Sequence, residues 1–133
     1  MTLRFESEHW RVIDAVGFVR AERTEAAFRG IAECTLGFTR LETALRGAPT
    51  NSLLIDARRA KGTQDPAIER VITDFNTRVL MRFTRVAALV QTSVGLLQSQ
   101  RLVRAQAAAI RPFDDEGAAI AYLLAPAVKA TRL

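Results

Sequence analysis

The sequence predicts an α/β domain: a mixed, mostly parallel sheet of about five strands with about four helices, in the order β-β-α-β-α-β-α-β-α. Three observations predict it. Two short apolar runs, "SLLIDA" at 52–57 and "RVAALVQT" at 85–92, suit strands buried on both faces. Between them, Pro66 to about Arg82 carries a helical repeat, with Ile68, Val71, Ile72, Phe75, Val79 and Leu80 on one stripe. After the first strands, helices and strands alternate, which calls for parallel pairing through helical crossovers.

The elements follow in order. "RFESEHWRVIDAVGFVRAERT" at 4–24 reads as two strands joined by a turn at Asp14–Gly17, with Leu3, Phe5, Val12, Val19 and Ala21 half-buried. In the next helix Phe28, Ile31, Cys34, Phe38, Leu41 and Leu45 share a face. Gly30 and Gly37 lie on one side of it, so the helix either starts after Gly30 or packs closely there. Gly47 and Pro49 end it. In the long helix, Arg70, Asp74 and Arg78 are spaced to pair with one another, and Met81 and Phe83 follow beside Arg82 and Arg85 as core or as an interaction surface. "SVGLLQSQRLVRAQA" is a shorter helix, "AAIRPF" a strand, and "DDEGAAIAYLLA" a last helix closed by Pro126. The domain spans 1–125 and the tail 126–133.

Composition narrows the function classes. The chain has 133 residues, 49% apolar and 25% charged, as in a soluble globular domain. No apolar run approaches the ~20 residues of a membrane span. "MTLRFESEH" lacks a signal peptide's basic and apolar regions, so a cytoplasmic location is expected. The net charge is +5, but the arginines are scattered, without aromatic interleaving or a recognition helix, so nucleic acid is not an expected partner. Cys34 is alone and reads as a small buried residue, with no disulfide or metal site implied. His9 reads as a strand or turn histidine. No G-x-S-x-G, H-E-x-x-H or G-x-G-x-x-G occurs, so neither catalysis nor a cofactor is expected. Trp10 and Tyr122 are core aromatics or interface anchors. Asp114, Asp115 and Glu116 are partners of a helix dipole.

Candidate site residues concentrate in "LLIDARRAKGTQDPAIERV" at 53–71. Gly62 permits a sharp turn, and Asp65-Pro66 starts a helix: the carboxylate caps free N–H groups and proline suits the first helical position. That leaves Asp56, Arg58, Arg59, Lys61 and Thr63 as solvated residues or the rim of an anion or partner site. Open α/β sheets bind ligands beyond the carboxyl ends of their strands, where this loop and Thr92-Ser93 both lie. Asp56 also suits pairing with arginine. Gln98, Arg101 and Arg104 on the shorter helix suit an acidic partner or surface ion pairs.

Element order, with the phrases "LLID", "RVAALV" and "FDDEGAAIAYLL", resembles the STAS superfamily, and within it the SpoIIAA-like branch of the bacterial anti-sigma-factor antagonists. The resemblance implies a regulatory or scaffold domain acting through protein–protein contacts. In that family a kinase modifies a serine between the central strand and the next helix, within Asp-Ser-Ser-Gly or a close variant. Here that place reads Lys61-Gly62-Thr63-Gln64-Asp65-Pro66, and no serine lies between Asp56 and Ser93. The usual phosphoacceptor is therefore missing, which puts the kinase switch in question. STAS domains also resemble the CRAL-TRIO lipid-transfer fold in outline, which implies an alternative: a module binding a lipid, nucleotide or other small anion. A homodimer through a helix face or sheet edge is a further possibility.

Overall fold

A computed structural model of the chain describes residues 1–60, 65–91 and 110–126. Its strands are β1 (Thr2–Glu6), β2 (Trp10–Asp14), β3 (Val19–Arg23), β4 (Ser52–Asp56), β5 (Arg85–Leu89) and β6 (Ile110–Phe113). Its helices are α1 (Ile31–Leu45), α2 (Pro66–Arg82) and α3 (Glu116–Leu124). The α/β class is as expected, but the sheet has six strands, not about five. Among the described residues there are three helices; the helix expected over "SVGLLQSQRLVRAQA" lies outside them.

The extra strand comes from the N-terminal segment, which folds into three strands, not two. A turn at Ser7–His9 separates β1 from β2. Ser7 Oγ accepts from the backbone N–H of His9 (3.3 Å) and Trp10 (3.2 Å), and Ser7 N donates to Trp10 O at 2.8 Å. The side chain does the work usually signalled by glycine or proline. The following turn does use glycine: Gly17 has φ +87°, and a Cβ there would lie 2.6 Å from Leu124 Cδ2.

The strands lie in sequence order across the sheet. β1–β2 and β2–β3 are antiparallel, while β3–β4, β4–β5 and β5–β6 are parallel. The sheet is thus mixed and mostly parallel. At the carboxyl end of β4, Asp56 sits opposite Glu22 of β3 and Leu89 of β5.

Helices cover both faces. α1 and α2 pack on one face, in a core that includes Trp10, Val19, Leu53, Phe75 and Val86. α3 packs on the other through Ala119 and Leu123, against Leu54, Ala87 and Leu89. Alternating strand residues feed the two cores, as the pleat requires. Val12, Val19 and Ala21 are fully buried instead of half-buried, and Leu3 is exposed at the outer strand.

α1 starts at Ile31, after Gly30, and Ile31 itself is exposed. Phe28 lies before the helix and packs back onto it: a Cβ on Gly37 would fall 2.7 Å from Phe28 Cε1. Gly37 therefore marks a close approach. α2 follows its sequence signal at both ends. Asp65 Oδ1 accepts from Ala67 N at 2.9 Å, and Pro66 occupies the first turn. Its apolar stripe packs inward, with Phe75 and Val79 buried. Burying one such phenylalanine stabilises the fold by about 2–3 kcal/mol. Arg78 pairs with Glu42 of α1 at 2.7 Å, tying the two helices together across their exposed faces. No described helix is long and apolar enough to cross a membrane.

Candidate functional site

The two regions that carry the chemistry are built on one strand. β3 places Arg20 on the α3 face and Arg23 on the α1–α2 face, each only 8% exposed. Pleating separates them, because residues three apart point to opposite sides.

Arg20 meets three acids. It donates from Nη2 to Asp56 Oδ2 at 2.7 Å and to Glu116 Oε1 at 2.9 Å, and from Nε to Glu22 Oε2 at 2.7 Å. Arg58 completes the cluster, with Nε to Asp56 Oδ1 at 3.0 Å, Nη2 to Asp56 Oδ2 at 2.9 Å and Nη2 to Glu116 Oε1 at 2.9 Å. Its backbone N–H also donates to Asp56 Oδ1, at 3.2 Å. Burial alone would raise the Asp56 carboxyl. The hydrogen bonds from Arg58 and the charges of Arg58 and Arg20 outweigh burial and hold it below the usual carboxylate range. Burial pulls the Arg20 guanidinium down, and its bonds to Glu116 and Glu22 with the charge of Asp56 raise it overall. The hydrogen bond to Asp56 does the same for Arg58, against a smaller effect of burial.

Of the expected rim residues, Asp56 and Arg58 come together in this arrangement. Arg58 is bound to acids of the fold, so it does not face a ligand as a free cation. Asp56 pairs with arginine, as its strand-end position suggested. Arg59 is exposed and, among the described residues, makes no ion pair. Lys61, Thr63, Thr92 and Ser93 lie outside the described residues, as do Gln98, Arg101 and Arg104. Of the acids at 114–116, Asp115 caps α3 by accepting from Ala118 N at 2.8 Å, while Glu116 serves the arginine cluster. Above these groups lies an open polar basin of about 930 Å³, bounded by Glu22, Asp56, Arg58, Arg59, Gln91 and Asp114 among others.

A second cavity, of about 300 Å³, opens on the other face between the sheet and the α1–α2 layer. Trp10 and Ile55 form its sheet wall, Phe28 and Phe38 one side, and Ile68, Ile72 and Phe75 of α2 the other. Arg23, Glu25 and Ala60 border both spaces, so the apolar cavity adjoins the polar basin at Arg23. The residues brought together here were not picked out as a site by sequence pattern. The sequence marks Trp10 only as a core aromatic or interface anchor, and nothing in the spacing of Arg23 and Asn76 links them.

Three polar groups in this apolar wall lack full partners. Arg23 donates from Nη1 to His9 O (3.2 Å), Thr24 O (2.9 Å) and, at 3.5 Å, Thr24 Oγ1. It meets no carboxylate among the described residues, and its guanidinium lies 4.3 Å from the Phe28 ring centre and 5.8 Å from that of Trp10. Burial lowers its pKa, opposed only by the charge of Cys34. The Trp10 indole N–H is buried and has no hydrogen-bond partner among the described residues. The Asn76 carboxamide, on a residue 8% exposed, has no hydrogen-bond partner among the described residues. Of these groups only the Trp10 indole nitrogen is cut off from solvent; the unbonded atoms of Arg23 and Asn76 keep access through the cavity.

His9 also differs from a plain turn residue. It is buried, stacks on Phe28 at 4.4 Å, and its Nε2 lies 3.0 Å from Glu33 Oε1. Glu8, His9 and Glu33 bring potential ligand atoms within 4.8 Å of one another. Both carboxylates also receive Arg29, at 3.0 Å for Glu33 and 3.3 Å for Glu8, so a cation of the fold already balances them. Cys34 is wholly buried, and burial pushes its thiol up.

Comparison of the chain with family models, with curated proteins and with solved structures finds no match.

Proposed function

We propose that this chain is a non-catalytic, STAS-like regulatory module that binds a small, largely apolar ligand between its sheet and the α1–α2 layer. The observation that carries this reading is the cavity of about 300 Å³ with an aromatic and aliphatic wall and incompletely paired polar groups. Ligand sites in proteins characteristically combine an apolar lining with a few placed polar groups. The STAS resemblance of the sequence, a family similar in outline to the CRAL-TRIO lipid-transfer fold, supports the same reading. Native mass spectrometry of the purified chain, before and after denaturing extraction, tests it. A co-purified small molecule, or uptake of an added apolar probe, is the expected result. A clean apo mass and no uptake, with Ile72→Trp equally inert, would end the reading.

A protein-contact role is the second reading, favoured by Arg59, which is exposed at the basin without an ion pair among the described residues. In this reading the Asp56–Pro66 segment and the exposed face of α2 meet an acidic partner. A pull-down comparing the wild type with Arg59→Ala tests it, and an unchanged set of captured proteins would count against it. Arg58 is unsuitable for that test, because its substitution also breaks the Asp56 cluster.

A further inference from the structure

We infer that the cavity selects a monocarboxylate with an apolar body, its carboxylate held by Arg23 and assisted by Asn76 at the wall. This inference rests on the ligand-binding reading above and adds the chemistry of the ligand's head.

A guanidinium taken out of water needs an anion, and truly unpaired buried charges are rare. Arg23 is 8% exposed, and no carboxylate among the described residues pairs with it. Arg20, equally buried on the same strand, has three acids. Glu25 borders the cavity but is exposed and makes no ion pair with Arg23. The missing counterion is therefore best supplied from outside the chain.

Geometry agrees. Every hydrogen bond of Arg23 leaves from Nη1, toward His9 O and Thr24. Those bonds and the Phe28 ring fix the plane of the guanidinium. Nε and Nη2 have no partner among the described residues, and this edge of the fork is the one that grips a carboxylate through two parallel bonds. The Asn76 amide offers a further donor at the same wall.

Count and surroundings narrow the head group. Among the described residues Arg23 is the cation at the apolar cavity; Arg20 and Arg58 are committed to acids on the other face. One guanidinium matches one negative charge, so a carboxylate fits better than a phosphate dianion. The wall beyond it is made by Phe38, Ile68, Ile72 and Phe75, which asks for an alkyl or aromatic body.

The chain carries its own reporter, because Trp10 is the sole tryptophan and lines the cavity. Titrating the full chain with decanoate, decanol, decyl phosphate and decyltrimethylammonium, each below its micelle concentration, separates body from head. Fluorescence of Trp10 and calorimetry give the affinities. Decanoate is expected to bind about tenfold to a hundredfold more tightly than decanol, the range of a charge-assisted hydrogen-bond pair. Arg23→Met should remove that advantage, bringing decanoate and decanol to similar affinities. Equal binding of decanoate and decanol would overturn the carboxylate inference and leave the apolar cavity standing. Tighter binding of decyl phosphate or decyltrimethylammonium than of decanoate would overturn it too. Binding of none of the four would remove the ligand-binding reading with it. The wild-type series decides the matter even if the variant fails to fold.

Discussion

Arg20 and Arg23 lie on one strand, three residues apart, and are equally buried. Their surroundings are opposite. Arg20 sits in a closed network with Glu22, Asp56 and Glu116, and its pKa rises against burial. Arg23 has carbonyl oxygens, a hydroxyl and aromatic rings but no acid among the described residues, and burial lowers its pKa. Burial by itself therefore does not say what a charged residue does. A satisfied charge fastens β3, β4 and α3 together. An unsatisfied one is held available, at a cost to stability that a bound anion would offset.

The largest effect should come from breaking the closed side. Asp56→Ala leaves two guanidinium groups short of their shared acceptor at the carboxyl end of β4. Removing one partner from a buried ionic cluster costs about 3 kcal/mol. Urea unfolding should give a loss of that size. A loss under about 1 kcal/mol would mean that Glu22 and Glu116 suffice for both arginines.

The same cluster should write its signature on pH dependence. Asp56 has a folded pKa below that of the unfolded chain, which is about 3.9. The unfolded state then binds more protons in the acid range, so stability rises with pH there. The contribution is complete above about pH 4 and is lost as pH falls through the folded value. The stability gap between wild type and Asp56→Asn should therefore be widest near neutrality and narrow in acid. A gap that stays constant would show that Asp56 titrates alike in both states.

The open side should respond weakly. Arg23→Met removes a cation with no acid partner among the described residues and keeps a flexible apolar stem at the wall. His9 O still accepts from Thr24 N at 3.0 Å, so the backbone there is not stranded. The expected stability change is at most about 1 kcal/mol, because the desolvation cost of the charge disappears along with its hydrogen bonds. A loss matching that of Asp56→Ala would make Arg23 a structural residue and dissolve the contrast.

This contrast was only half legible in the sequence. The apolar strands, the α2 stripe and the Asp65-Pro66 start are local signals, and the fold uses them as written. The turn at Ser7 was hidden because a hydroxyl within "ESEH" makes it, without glycine or proline. Asp56 drew attention as an acid ending a strand, and Arg58 as its near neighbour. Their partners Arg20 and Glu116 are 36 and 58 or more residues away and could be found only through the parallel register and the packing of α3 on the sheet. The cavity is less legible still. Trp10, Arg23, Phe38 and Asn76 come from two strands and two helices, and only the packing of α1 and α2 on the sheet brings them to one cavity, which no residue spacing encodes.

The smallest effect belongs to Glu116, and it tests how much of the closed side is ion pairing and how much is burial. Its carboxylate receives both Arg20 and Arg58 at 2.9 Å, but its side chain is 44% exposed, against 10% for Asp56. Water screens it, so the same two contacts are worth less there than at Asp56. Glu116→Gln keeps an acceptor oxygen and removes the charge, and Asp115 still caps α3. Stability should fall by about 0.5 kcal/mol, and less in high salt. If the loss instead rivals that of Asp56→Ala, the cluster acts as one cooperative unit in which exposure of a single member does not matter. Arg20 would then be held by the network as a whole, and the difference from Arg23 would be one of connectivity more than of burial.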